Sequence, residues 1–267
     1  MRIEDVVVLA REAGHLIMDI YQKDFSIYEK SDHSPLTEAD LAAHNYLINA
    51  LHELTPDIPA LSEESDDSVK KDRINWKTAY WLIDPLDGTK EFIKKNGEFT
   101  VNVALIENGI PIAGVIFAPA LDTMYWGQLG QGAFKQVGLG PIESISVAPV
   151  PERPTGWRVL GSRSHKSPRL QLFMSSLPEA EILEIGSSLK LCLMAEGKAD
   201  LYPRLSPTCE WDIAAGHAIV IAAGGQVLAL SSLSPLVYNS NPDSLLNPFF
   251  VVCTKPSVFW ENNRVGE

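Results

Sequence analysis

The run WLIDPLDGTKEF, residues 81–92, decides how this chain is read. Its apolar half, Trp81 to Ile83, has the character of a buried strand that ends on Asp84, because Pro85 has no N–H to give to a ladder. Asp87-Gly88 then turns the chain sharply. Two carboxylates three residues apart on such a turn can converge, and the carbonyl of Leu86 between them is not committed to a ladder. Together they offer the oxygen donors that a hard cation such as Mg²⁺ requires. The amides of Gly88 and Thr89 follow in the same turn and suit phosphate oxygens. An Asp-Gly pair alone reads as a tight turn. The whole unit Asp84 to Thr89 points instead to a joint metal and phosphate site.

Outward from this run the periodicity is clear. Upstream, Ile3, Val6, Val7, Ala10, Ala13, Ile17 and Ile20 follow a helical period, so residues 3 to 22 are expected to form an amphipathic helix. A second helix starts where Thr37 can cap it, with Asp40 at its third position near the positive end of the helix dipole, and stops before Pro56. Leu41, His44, Ile48 and Leu51 are its expected apolar face. Glu63 and Glu64, in LSEESDDS, read by themselves as solvated charges. Downstream, YWLID, FTVNVALIE, IAGVIFAPA and TMYWG alternate as strands, and Asn108-Gly109 is a hairpin turn within a mostly antiparallel meander. The proline-rich VPERPT stretch marks a boundary. Beyond it, strand-like RVLGS and EILEI alternate with helices expected over 167–176, 187–196 and 211–223. Asp212 near the start of the last helix reads, taken alone, as an acid facing the dipole. The expected organisation is an α+β part over residues 1–150 and an α/β part over 151–267, with their interface a natural place for a site.

Composition limits the classes. A 267-residue chain with 45% apolar residues can bury a large core, and a net charge of −12 without a basic stripe excludes a phosphate-backbone binder. No stacking platform for single strands is visible either. Acids in the first few residues disfavour a secretion signal. The longest mostly apolar segment, 213–225, is well short of the ~20 residues a membrane span needs. Cys192, Cys209 and Cys253 are widely spaced and odd in number, which suits free thiols in a reducing compartment. The cytoplasm is the expected address. His15, His44 and His217 fall within helices and are assigned no ligand role, since Mg²⁺ disfavours imidazole.

Three segments then stand in order: Ser62-Glu63-Glu64, Asp84-Pro85-Leu86-Asp87-Gly88-Thr89 and Trp211-Asp212-Ile213-Ala214-Ala215. In this pattern the chain resembles the lithium-sensitive, Mg²⁺-dependent phosphatases that include inositol monophosphatase and fructose-1,6-bisphosphatase. HSPLTEAD (33–40), Lys90-Glu91-Phe92 after Thr89, SRSH (162–165), GSSLK (186–190) and LYPR (201–204) are similar, more narrowly, to the 3'(2'),5'-bisphosphate nucleotidases.

The resemblance implies a layered αβαβα sandwich of the sugar-phosphatase type. It implies that Glu63, Asp84 and the Leu86 carbonyl hold one Mg²⁺, and that Asp84, Asp87 and Asp212 hold a second. A water beside the ions would be the nucleophile, oriented by Glu63 and Thr89, with Asp40 behind Thr89 to take up its proton. Two Mg²⁺ just neutralise Glu63, Asp84, Asp87 and Asp212, so the substrate's phosphate still calls for positive charge. A third Mg²⁺ near Glu63 and Asp40 could supply it.

The substrate would meet Glu63, Leu86, Asp87, Gly88, Thr89, Ser187, Ser188 and Asp212. Its second phosphate would lie among Ser162, Arg163, His165, Lys190 and Arg204. The implied reaction removes the 3'-phosphate of adenosine 3',5'-bisphosphate, within sulfur assimilation, with 3'-phosphoadenylyl sulfate as a second substrate and Li⁺ as inhibitor. Inositol monophosphatase activity is the near rival. An aspartyl-phosphate phosphatase would space its acids by one residue, not two, and a nucleotide sensor would have no need of Thr89 and Asp40. The partner expected is a small phosphorylated nucleotide. Oligomeric state and peripheral association with the inner face of a membrane are left open.

Overall fold

The computed structural model describes residues 2–30, 34–76, 78–161 and 168–263. Five layers are stacked. The first holds α1 (Ile3–Tyr21) and α2 (Glu38–Leu54), linked by the short β1 (Ile27–Glu29) and β2 (Pro35–Thr37). The second is a seven-stranded sheet of β3 (Ala60–Ser62), β4 (Ala79–Asp87), β5 (Thr100–Glu107), β6 (Ile110–Ala118), β7 (Thr123–Gln128), β8 (Gly132–Val137) and β9 (Glu143–Ile145), in sequence order. Only β3 runs parallel to its neighbour; the rest form an antiparallel meander. Short helices α3 (Asp67–Asp72) and α4 (Thr89–Ile93) flank β4, and the fifth layer is α5 (Pro168–Met174), whose Phe173 packs with Trp260 on the far face of a second sheet.

A second, five-stranded sheet has the order β11-β10-β12-β14-β13, from β10 (Arg158–Gly161), β11 (Glu181–Glu184), β12 (Leu201–Arg204), β13 (Gln226–Ala229) and β14 (Phe250–Cys253). Between the sheets lie α6 (Leu189–Ala195) and α7 (Glu210–Ala222). The expected strands and helices are all present. Strands β1, β2, β3, β8, β9, β12, β13 and β14 and the short helix α3 were not anticipated as elements.

Strand alternation separates the cores. Trp81, Ile83, Val101, Val103, Val115 and Phe117 face α1 and α2, whereas Tyr80, Leu82, Ala104, Ile106 and Ile116 face α7 and the second sheet. Trp157, Val159, Phe173, Val251 and Trp260 close the far side. A helix between two sheets must be apolar on every side, and α7 is buried from Ile213 through Val220 without a break.

Gly114 of β6 makes this packing fit: a Cβ there would lie 2.2 Å from the Ala215 carbonyl oxygen of α7. Gly114→Ala therefore forces backbone apart rather than turning a side chain. It is expected to cost ~1–3 kcal/mol, read as a lowered Tm, and a Tm equal to wild type would contradict the close approach.

Two local expectations are corrected. The buried face of α2 is Ala39, Ala43, Leu47 and Leu51, spaced by four, while Leu41 is exposed and His44 and Ile48 flank the contact. β4 also does not stop at Asp84. It continues to Asp87, which pairs with Thr100 across an irregularity between Asp84 and Asp87. Pro85 sits in that irregularity, past the end of the β3 pairing at Ile83, where no ladder donor is required. Among the described residues no helix is long and apolar enough to cross a membrane. Among the described residues no disulfide joins the cysteines, and His217 is buried with its Nδ1 3.0 Å from the Tyr238 hydroxyl.

Candidate active site

The carboxyl ends of the parallel pair β3 and β4 open beside the N-termini of α2, α4 and α7, which carry Asp40, Thr89 and Asp212. Glu63 directly follows β3, with its N–H bonded to Ile83 O. Asp84 lies in the β4 irregularity, where its Oδ1 accepts the Leu86 N–H at 3.1 Å. This small Asx turn carries the chain over Pro85. Gly88 then takes φ +95°, and a Cβ there would stand 2.9 Å from Glu98 O, so glycine is required on both counts before α4 begins at Thr89.

Asp40 and Asp212 are placed by one local device. Each is the third residue of its helix and accepts the N-cap N–H: Thr37 N to Asp40 Oδ2 at 2.8 Å, Cys209 N to Asp212 Oδ2 at 2.9 Å. α7 starts one residue before the sequence reading, and that brings Asp212 to this position. The Thr37 hydroxyl also donates to Asp40 Oδ2, at 2.5 Å. Asp40 Oδ1 is left to accept the Thr89 hydroxyl at 3.2 Å, and Thr89 Oγ1 is also 3.4 Å from Leu86 O.

The acids lie close enough to disturb one another. Burial, then Glu63, Asp87, Asp212 and Asp40, push the Asp84 carboxyl well above the ordinary range. Burial and the nearby Asp87 push Asp212 up to about 8. Burial raises Glu63, against the pull of Lys30, whose Nζ stands 2.7 Å from Glu63 Oε1 and 2.5 Å from Glu64 Oε1. Burial also raises Asp40, against its bonds from Thr37. Among the described residues, no three Asp, Glu, His or Cys side chains are posed as a ready-made cage, because each acid is turned to a protein donor. The donor set nonetheless fits a hard divalent cation: its members are oxygens, and like charge accumulates in a buried place where only added positive charge relieves it.

A cavity of 580 Å³ opens from Asp87, Gly88 and Asp212, large enough for a nucleotide-sized ligand. Ser187, Ser188, Lys190 and Arg204, all named from the sequence as substrate-binding candidates, line it. Lys190 is buried, donates to Ser187 O at 3.0 Å and stands over the Tyr202 ring. Arg204 donates to Ser206 O and Pro207 O and lies close enough to Asp212 to offset a small part of the rise in its pKa. Ser162, Arg163 and His165 lie outside the described residues. Sequence reasoning missed Lys90, Lys94 and Glu98, which also form part of the cavity wall, and Lys30 beside Glu63. Only the run Lys90-Glu91-Phe92 had drawn attention to that wall, and nothing in the pattern singled out Lys30.

The layered fold, with acids gathered at the carboxyl ends of its parallel strands beside a nucleotide-sized cavity, defines a class: a hydrolase of the sugar-phosphatase type. A model of the inositol monophosphatase family matches residues 3–247. The chain is 47% identical over 252 residues to the 3'(2'),5'-bisphosphate nucleotidase CysQ of Salmonella typhimurium, covering 94% of this chain and 98% of that protein. It is 46% identical to the protein of the same name from Escherichia coli K12, with the same coverage. The crystal structure of CysQ from Bacteroides thetaiotaomicron, a bacterial member of the inositol monophosphatase family, superposes with a TM-score of 0.80 at 41% identity, covering 93% of this chain and 95% of that one. The chain belongs to the inositol monophosphatase family.

Proposed function

We propose that this enzyme hydrolyses the 3'-phosphate of adenosine 3',5'-bisphosphate to AMP and phosphate, and acts secondarily on 3'-phosphoadenylyl sulfate. One observation carries the reading: the acid cluster and two cationic side chains, Lys190 and Arg204, share one cavity through Asp87 and Asp212. The cavity thus offers acids to hold the ions that serve the reacting phosphoryl group and cationic side chains to receive a second phosphate.

Glu63, Asp84, Asp87, Asp212 and the Leu86 carbonyl would hold two Mg²⁺, and Glu63 and Asp40 would be the residues to hold a third. Bound there, the ions supply Lewis acidity that sharpens a water and offsets charge on the phosphoryl oxygens. The remaining tasks fall to the chain. Gly88 and Thr89 present N–H groups at the start of α4 to the phosphoryl oxygens. The Thr89 hydroxyl, donating to Asp40 Oδ1, turns its lone pairs to the attacking water. A proton leaving that water passes to Thr89 Oγ as the hydroxyl proton moves to Asp40. Asp40 is suited to accept it, because burial favours its neutral form. Lys30 must yield Glu63 to the water or to a cation, since its ammonium now occupies that carboxylate.

Phosphate release is compared across adenosine 3',5'-bisphosphate, inositol 1-phosphate and fructose 1,6-bisphosphate, with and without Mg²⁺. The bisphosphate nucleotide is expected to have the highest kcat/KM, and only with Mg²⁺ present. A preference for inositol 1-phosphate would transfer the assignment to that activity, and release without divalent ions would remove the metal from it.

A further inference from the structure

β5 carries two polar side chains shut off from solvent, Thr100 at 0% and Asn102 at 1% exposure. Alternation sets them on the face shared with Ala104 and Ile106, toward the layer of α6 and α7. The phosphatase reading does not use them, yet buried polar groups are costly unless paired. Their partners are Ser187 and Ser188, just before α6. Thr100 Oγ1 lies 2.8 Å from Ser187 Oγ and 2.7 Å from Ser188 Oγ. Ser188 Oγ lies 2.9 Å from the Asn102 side-chain amide, at Oδ1 as placed. Ser187 Oγ and Ser188 N both lie 2.6 Å from Asp87 Oδ2. Asn102 Nδ2, though buried, has no partner.

A hydrogen count orders this chain. The Ser187 hydroxyl gives its one hydrogen to Asp87, since an ionised carboxylate only accepts. The short contact between Thr100 and Ser187 must then hold the Thr100 hydrogen. Having no second hydrogen, Thr100 accepts from Ser188, which leaves Ser188 none to offer the amide. The amide must therefore donate. Turning the Asn102 amide exchanges two atoms of nearly the same shape and pairs the stranded donor.

We infer that Asn102, Ser188, Thr100 and Ser187 form a one-way chain of donors ending on Asp87, and that Thr100 and Asn102 are positioning residues for that carboxylate. Hydrogen bonds aligned in one sense polarise one another, and the last one falls on a charge. The loop that presents the serines is itself held: Ser187 adopts φ +56°, and Gly186 N is bonded to Glu98 Oε2 at 2.8 Å. The chain thus spans from the first sheet to the loop that leads into α6 and its Lys190, and it holds Asp87 through Oδ2.

This inference rests on Asp87 being a ligand for divalent cations. Mg²⁺ binding is therefore measured by calorimetry on wild type, Thr100→Val, Thr100→Ser and Asn102→Ala, beside kcat and KM at saturating Mg²⁺ and Tm. Thr100→Val keeps the volume and removes the hydroxyl. It is expected to raise the Mg²⁺ dissociation constant by ~10-fold, the usual scale for groups that orient a ligand, with KM for nucleotide little changed. Asn102→Ala should shift affinity the same way by less, and Thr100→Ser should restore it. In wild type, the Asn102 side-chain NH₂ signals should be protected from solvent exchange, a readout that needs no variant to fold. Wild-type Mg²⁺ affinity in folded Thr100→Val and Asn102→Ala, equal loss in Thr100→Ser, or fast exchange of the Asn102 NH₂ would each overturn the chain. Absence of Mg²⁺ binding by wild type would instead overturn the reading of Asp87 on which it rests.

Discussion

Asp87→Asn is expected to cut turnover by ~10³-fold or more while leaving the fold intact. Asp87 Oδ2 already accepts two bonds, from Ser187 Oγ and Ser188 N. In the variant the amide oxygen can keep both, which puts an NH₂ where the second carboxylate oxygen stood. A donor then faces the position of a cation, and the variant loses both a ligand and a charge. Removing one preorganised electrostatic partner at a reacting centre costs on the order of 10² to 10³ in rate, and the loss of cation affinity adds to it. Calorimetry should show weakened Mg²⁺ binding, and the metal-free Tm should stay level or rise, because Asp84 is relieved of a neighbour that opposes its ionisation. Unaltered Mg²⁺ affinity would contradict the role given to Asp87.

Thr89→Ala should lower kcat by ~10² to 10⁴-fold, the range for a positioned proton-transfer group, and leave Mg²⁺ affinity near wild type. The Thr89 hydroxyl joins the site to Asp40 at 3.2 Å. Asp40 keeps its two bonds from Thr37 in the variant, so its position does not depend on Thr89. What disappears is the route from water to buried acid. Thr89→Ser, which retains the route, should recover most of the rate. If Thr89→Ala instead weakens Mg²⁺ binding as much as Asp87→Asn does, the hydroxyl serves the ions and not the proton.

The sheet meander and the long helices were legible in the sequence, because strands between two cores are written as long, nearly unbroken apolar runs and α1 as a helical stripe. The capping box at Thr37 and Asp40 was legible for the same local reason, and its presence in the structure is direct. Strands β12, β13 and β14 escaped because they are four residues each and both faces are covered, so no polar alternation marks them. β4 was cut short at Pro85 because a proline normally ends a ladder, and only the register past β3 shows why this one does not. Lys30 could not be foreseen beside Glu63, since the contact joins residues 33 apart through a loop. Thr100 and Asn102 sit in a strand that otherwise reads as core, and two polar residues there were the available signal of a buried network.

The middle layer has a consequence for how ligand enters. The apolar cluster around α7 takes side chains from both sheets, Leu82 and Ile116 from one, Tyr202, Val227 and Val252 from the other. Prising the two sheets apart would wet that shared interior, a penalty that grows with every buried side chain exposed. This molecule therefore does not open like a hinged clamshell. Admission to the cavity is expected to fall to the side chains and short loops at its mouth.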